Sequence, residues 1–368
     1  MLASLANVPT RTAIVLAVLA TAGLLAALTQ RTSSGASSAA TTTTTTQQPD
    51  PNRVITARGP LPGAILIADR GNDRILLVDA HHKILWRFPT AADRARGIHL
   101  VFDDDTFVQP GGKALITNEE DHQDILSIDI KTHNVKILYG QPGIKGSGPG
   151  QLNWPDDAYV LKDGTMTVAD AYNCRILFIR NRHIVSQIGR TGGCVHNPPA
   201  TLGSVNGDTP MAGGGVLVSE IEHSWIDAFS RSGKLLWDFQ APVSYPSDPQ
   251  PLTPSGSRIL IADYAYPGAA LIVDRRGHVL WSYRPTAGVG VLNHPSLAIE
   301  LPNGNIAIND DYNHRVVIVS RKTRRMVWHY GVDGHAGTGP GLLNTPDGMD
   351  YIPLGVNEKP LWQLVHHP

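Results

Sequence analysis

Two cysteines, Cys174 and Cys194, in 368 residues are too few for a disulfide-rich scaffold or a four-cysteine zinc site, and leave room for one bridge in an oxidising compartment. Charge is scarce and balanced: 17% of residues are charged, with Lys+Arg 31 against Asp+Glu 32. Without clustered surplus positive charge, nucleic acid is excluded as a partner. The sequence has no G-x-S-x-G elbow, no P-loop and no dinucleotide fingerprint opening a helix. It also lacks H-x-x-x-H, C-x-x-C and EF-hand spacings for a metal. Turn formers are plentiful instead: 36 Gly and 27 Pro make turns frequent and long helices few, and 42% hydrophobic residues suffice for a sizeable core.

Residues 13–29 (AIVLAVLATAGLLAALT) form an uncharged apolar run of 17 between Arg11 and Arg31. At about 1.5 Å per residue it nearly spans a hydrocarbon core of roughly 30 Å. The only A-x-A inside it, Ala20-Thr21-Ala22, would leave GLLAALT on a mature end, so residues 1–31 are expected to be an uncleaved N-terminal anchor. The alternative is a cleaved signal and a secreted protein. Arg11 and the amino terminus outweigh Arg31, placing the N-terminus in the cytoplasm. The Ser/Thr/Ala/Gln tract 32–52 reads as a flexible tether, and residues 53–368 are expected on the extracytoplasmic side of the cytoplasmic membrane.

Four segments of that body align without strain: 63–88, 164–189, 257–283 and 304–330, with two weaker copies at 112–140 and 214–239. One register position reads Asp69, Asn118, Asp170, Glu220, Asp263 and Asp310, at a mean spacing of 48. Each copy alternates apolar and polar residues in short runs broken by turns, the period of half-buried strands. Four strands (a to d) at this repeat length predict an all-β, six-bladed β-propeller. Ring closure is expected through GMDYIPL (348–354) as a strand of the first blade, with RVITAR (53–58) as the alternative.

The stretch GSGPGQLNWPDDAYVLKDGTMTVADAYNCRILFI (146–179) resembles an NHL repeat. GHAGTGPGLLNTPDG (334–348) repeats its opening half, and Asp69/Asn72/Arg74 and Asp310/Asn313/Arg315 repeat its closing half. A second resemblance, to quinoprotein-like and arylsulfotransferase-like propellers, lies in the W-x-[FY] endings at Trp86/Phe88, Trp237/Phe239, Trp281/Tyr283 and Trp328/Tyr330. An aromatic on an outermost strand is first of all expected to pack on the next blade.

Alternating strands put the b–c turns and d–a connections on one face, and binding residues favour such loops. The recurring Asp69, Asp170 and Asp310 read as turn chemistry, paired with Arg74, Arg175 and Arg315 or with backbone. Departures from the repeat say more: His223, Tyr264 and Tyr266 in the turns, and His99 and His196 in their loops, together with Asp156, are the candidate ligand-binding residues. At the entry to strand a, read in the third copy as AYVLKDG (158–164), the sequence has Asp103-Asp104-Asp105, Pro155-Asp156-Asp157, Pro246-Ser247-Asp248, His294-Pro295-Ser296 and Asn344-Thr345-Pro346-Asp347. These residues converge near the axis. Asp104, Asp156, Asp157 and Asp347 are candidate ligands for a divalent cation such as calcium, with His294 as an added donor; the alternative is a solvated acidic mouth. Arylsulfotransferase-like propellers use a channel histidine as nucleophile, and that resemblance makes His294 the catalytic candidate. His366-His367 and His81-His82 read as exposed surface.

Cys174, in a b–c turn, and Cys194, in the following d–a connection, open on the same face, and a disulfide between them is expected. The functional expectation is a monomeric, membrane-anchored binding propeller that takes a protein, peptide or glycan at the outer membrane face. The alternative is an exported lyase, hydrolase or sulfotransferase working through a channel-mouth metal or histidine.

Overall fold

The computed structural model describes residues 53–54 and 59–367. The apolar run 13–29, the tether 32–52 and most of RVITAR lie outside them. Among the described residues, no helix is long and apolar enough to cross a membrane.

Six four-stranded antiparallel sheets form the ring, one for each sequence copy. Strands b and c are buried on both faces, as in Ala64–Asp69 and Arg175–Arg180, because each blade is sandwiched between two others. That explains their near-continuous Ile, Leu and Val; emptying one such Leu or Ile site to Ala costs about 2–5 kcal/mol. Outer strands alternate with solvent, as in Leu235–Gln240. Their tryptophans reach sideways as expected. The Trp86 indole donates to Ile130 O at 3.0 Å, Trp281 to Arg321 O at 2.9 Å and Trp328 to Ala80 O at 3.0 Å, each in the next blade. Trp237 lies under the Arg275 guanidinium.

Ring closure uses the C-terminal strand: Pro346–Ile352 pairs antiparallel with Ala64–Asp69 and becomes strand a of blade 1. Val54 makes only an isolated bridge to Gly355. The chain then turns back, and residues 361–367 lie against the face opposite the b–c turns. His367 bonds Asp350 at 3.0 Å and contacts the rings of Phe107 and Tyr159 edge-on. The expected exposure holds for His366 and fails for His367, because the tail folds back against the channel-facing strands.

Two details of register differ from expectation. In blade 2 the repeating acid is Glu119, which pairs with Asp103 and Asp124 as Asp69 pairs with Pro346 and Arg74; Asn118 lies one residue earlier. Strand a also starts sooner, at Pro155 in blade 3, so the acidic tripeptides lie inside the strand. In blades 1 to 5 the a–b pairing shifts register just after strand a begins. A bulge there lets two successive side chains turn toward the axis instead of alternating across the sheet.

Candidate functional site

The repeating acid at the end of strand b anchors the loop that leads into strand a. Asp69 Oδ1 accepts Asn344 N, Asp170 Oδ1 accepts Asn153 N and Asp310 Oδ1 accepts Asn293 N, each at 2.7 Å. The other oxygen takes Arg74 Nε at 2.6 Å, Arg175 Nε at 2.7 Å or Arg315 Nε at 2.7 Å, with Asn72, Asn173 and Asn313 completing each set. The D-x-x-N-x-R spacing is thus a brace for a tight turn. Blade 4 replaces the arginine with Trp225. His196 stacks on that indole at 3.8 Å and bonds Glu220 at 3.0 Å, filling the arginine's role.

With the loops braced, three layers line the channel from the b–c face inward. The outermost is a collar of Phe102, Trp154, Tyr245 and His294, each just before strand a; Phe102, Trp154 and His294 adopt positive φ. Below it lie Asp104, Asp156, Asn206, Ser247, Ser296 and Asp347, all polar and all lining one cavity of about 130 Å³. The third layer reads Asp105, Asp157, Gly207, Asp248, Leu297 and Gly348 by the same register. The second residue of each b–c turn also points inward: Arg70, Glu120 and Tyr264 line the cavity, and Asp311 is fully buried beside it, bonded to Ser296. A larger concavity of about 760 Å³ opens on the opposite face between Leu161, Arg231 and Thr253. Among its lining residues it gathers no converging set of carboxylates.

Arg70 is the one cationic side chain in the cavity wall. Its Nη1 donates to Asp104 and Asp347, lies 3.6 Å from Glu120, and the guanidinium sits 4.1 Å from the Phe102 ring centre. Burial works against its charge, but the three carboxylates outweigh burial and hold it protonated. Burial and neighbouring carboxylates raise Asp104 and Asp156 well above the usual range and push Glu120 up to about 7. Asp104, Glu120 and Asp156 offer oxygens within 4.8 Å of one another, and Asp105, Asp157 and Asp248 form a second such group.

The sequence candidates therefore divide. Asp104, Asp156, Asp347 and Tyr264 meet in the cavity, while Asp157 belongs to the inner group. His294 sits in the collar between Tyr264 and Tyr312, with Nδ1 2.8 Å from Asn293 Oδ1, and burial lowers its pKa. It occupies the place of Phe102, Trp154 and Tyr245 in other blades. His99, His223 and Tyr266 are exposed outside the cavity lining, Tyr266 at 68%. Arg70, Glu120, Trp154 and Tyr245 were not among the sequence candidates, although Arg70 and Glu120 share the turn position of Tyr264. The disulfide is formed: Cys174 and Cys194 are bonded with Cα atoms 5.2 Å apart.

No protein-family model matches the chain, and no curated protein matches it by sequence. Solved structures do match. A protein of unknown function from Bacteroides caccae is 15% identical over 78% of this chain and 97% of its own, with a TM-score of 0.53. A chain of a nidogen/laminin complex is 11% identical over 78% and 97%, with a TM-score of 0.55. Virginiamycin B lyase from Staphylococcus aureus is 12% identical over 60% and 67%, with a TM-score of 0.43. At such identities the likeness is one of fold, and the fold is a six-bladed β-propeller with four-stranded blades.

Proposed function

We propose that this protein is a binding propeller, tethered to the extracytoplasmic face of the membrane by residues 1–31, whose channel mouth receives a basic side chain of a protein or peptide ligand. The observation that carries this reading is the pairing of aromatic collar and carboxylate ring around one cavity. Asp104, Glu120, Asp156 and Asp347 form that ring, with Arg70 as the one cation, beneath Trp154, Tyr245 and Tyr264. Carboxylates attract an ammonium or guanidinium group, and the faces of Trp and Tyr add cation–π attraction. A neutral glycan would leave those carboxylates without partners. The disulfide supports an oxidising compartment, and the motifs around 146–179 support NHL-like ancestry.

The test is titration of full-length protein with a lysine- and arginine-rich peptide, followed by Trp fluorescence. Binding should weaken with salt, vanish when the peptide lysines are acetylated and its arginines replaced by citrulline, and fall about tenfold, or 1.4 kcal/mol, in Asp156→Asn. Equal binding of the neutralised peptide would refute it. Membrane fractionation of the full chain tests the anchor, which a mature N-terminus between residues 22 and 45 would rule out. The enzyme alternative draws on Glu120, held at about 7 at the cavity wall, where a general acid would operate; it requires turnover that Glu120→Gln abolishes.

A further inference from the structure

The outer carboxylates have a cation built into the chain, Arg70. The inner ones have none. Asp105, Asp157 and Asp248 are 2%, 0% and 3% exposed, and they present oxygens within 4.8 Å of one another. In each, Oδ1 is buried and has no hydrogen-bond partner. The second oxygen of Asp157 is used, accepting Asp208 N at 3.1 Å, and that of Asp248 accepts Ser247 Oγ at 3.4 Å. Backbone and hydroxyl donors therefore fix both carboxylates, and their free oxygens face a space that no protein donor enters.

The chain makes room for this arrangement. A Cβ on Gly207 would lie 2.7 Å from Asp248 Oδ1, and one on Gly348 would lie 2.6 Å from Asp105 Oδ1. Any side chain at these channel positions would displace the carboxylates. Asp105 and Asp248 also line the 130 Å³ cavity, so the group is reached from the mouth. Three buried carboxylates with orphaned oxygens are too costly to leave as charges. His367, below them, acts on Asp157 through its charge but makes its hydrogen bond to Asp350.

We propose that Asp105, Asp157 and Asp248 hold a hard divalent cation, calcium in the first instance, in the channel beneath the mouth. The donors are all oxygen, which disfavours zinc and copper, and three carboxylates that can bind through one or both oxygens suit the irregular six- to eight-fold shell of calcium better than the strict octahedron of magnesium. This site stands independently of the basic ligand proposed for the outer ring.

The test is thermal melting of metal-stripped full-length protein titrated with calcium, magnesium and zinc chlorides. Calcium should raise the melting midpoint with the logarithm of its concentration, by about 5 °C at a hundredfold excess over Kd. Asp105→Asn/Asp248→Asn should lose that response while its metal-free form melts within a few degrees of the metal-free parent. The single Asp248→Asn serves if the double variant is not obtained. Asp156→Asn should bind the peptide about tenfold more weakly and keep the calcium response. The assignment is overturned if no cation shifts the midpoint, if zinc alone does, or if the inner variant responds like the parent while Asp156→Asn does not.

Discussion

Asp310 and Asp248 are buried almost equally, at 0% and 3% exposure, yet their surroundings have opposite character. Asp310 is held by Arg315, Asn313 and the Asn293 backbone amide, whereas Asp248 keeps an oxygen with no partner and shares its neighbourhood with Asp105 and Asp157. Burial alone therefore does not separate a braced carboxylate from one left without a partner. The number of donors does. Turn acids recur blade after blade because each loop needs its brace, while the channel acids occur in only some blades and strain the fold that carries them.

The largest effect should come from breaking the brace. Arg175→Ala leaves Asp170 buried beside an empty guanidinium site, and urea unfolding should show a loss of about 3–5 kcal/mol; a loss below about 1 kcal/mol would place Asp170 with the channel acids instead. Next comes the covalent brace of the same blade. Cys194→Ser opens a loop closed across a sequence separation of 20 and should cost about 3 kcal/mol, and thiol counting on denatured, unreduced parent protein should find none free.

The smallest effect tests an intermediate case. Blade 2 carries Asp124 where blades 1, 3 and 6 carry Arg, so Glu119 meets a second carboxylate, bridged by His122 at 3.1 and 3.2 Å. Burial, with Asp124 adding to it, pushes Glu119 up to about 7. A carboxyl raised in the fold above its unfolded value, about 4.3, binds its proton more tightly when folded. Its contribution to stability is therefore greatest below about pH 4 and falls as pH rises through about 7. Glu119→Gln should flatten that fall between pH 5 and 8 in melting curves, and an unchanged slope would assign it to other groups.

The propeller was legible in the sequence because the repeat shows as strands, turns and acids at one period, and the disulfide because its two loops share a face. Blade 4 was missed at the channel, since Val205-Asn206-Gly207 carries no acid to align. Arg70 and Glu120 sit in b–c turns, and nothing local marks the second turn position as pointing to the axis. That direction exists only once six blades close. His294 stood out as a lone histidine until Phe102, Trp154 and Tyr245 were seen to occupy the same place around the ring.

The chain folded back at the far end has a consequence for timing. Phe107 and Tyr159 stack at 4.2 Å with His367 against both, and the cavities on the two faces share no lining residue. The tail therefore lies across the channel-facing strands at the end away from the mouth. An ion bound at the channel floor would have to arrive before a ligand that caps the mouth and could leave only after it, so the ligand's residence time would set a lower limit on the ion's.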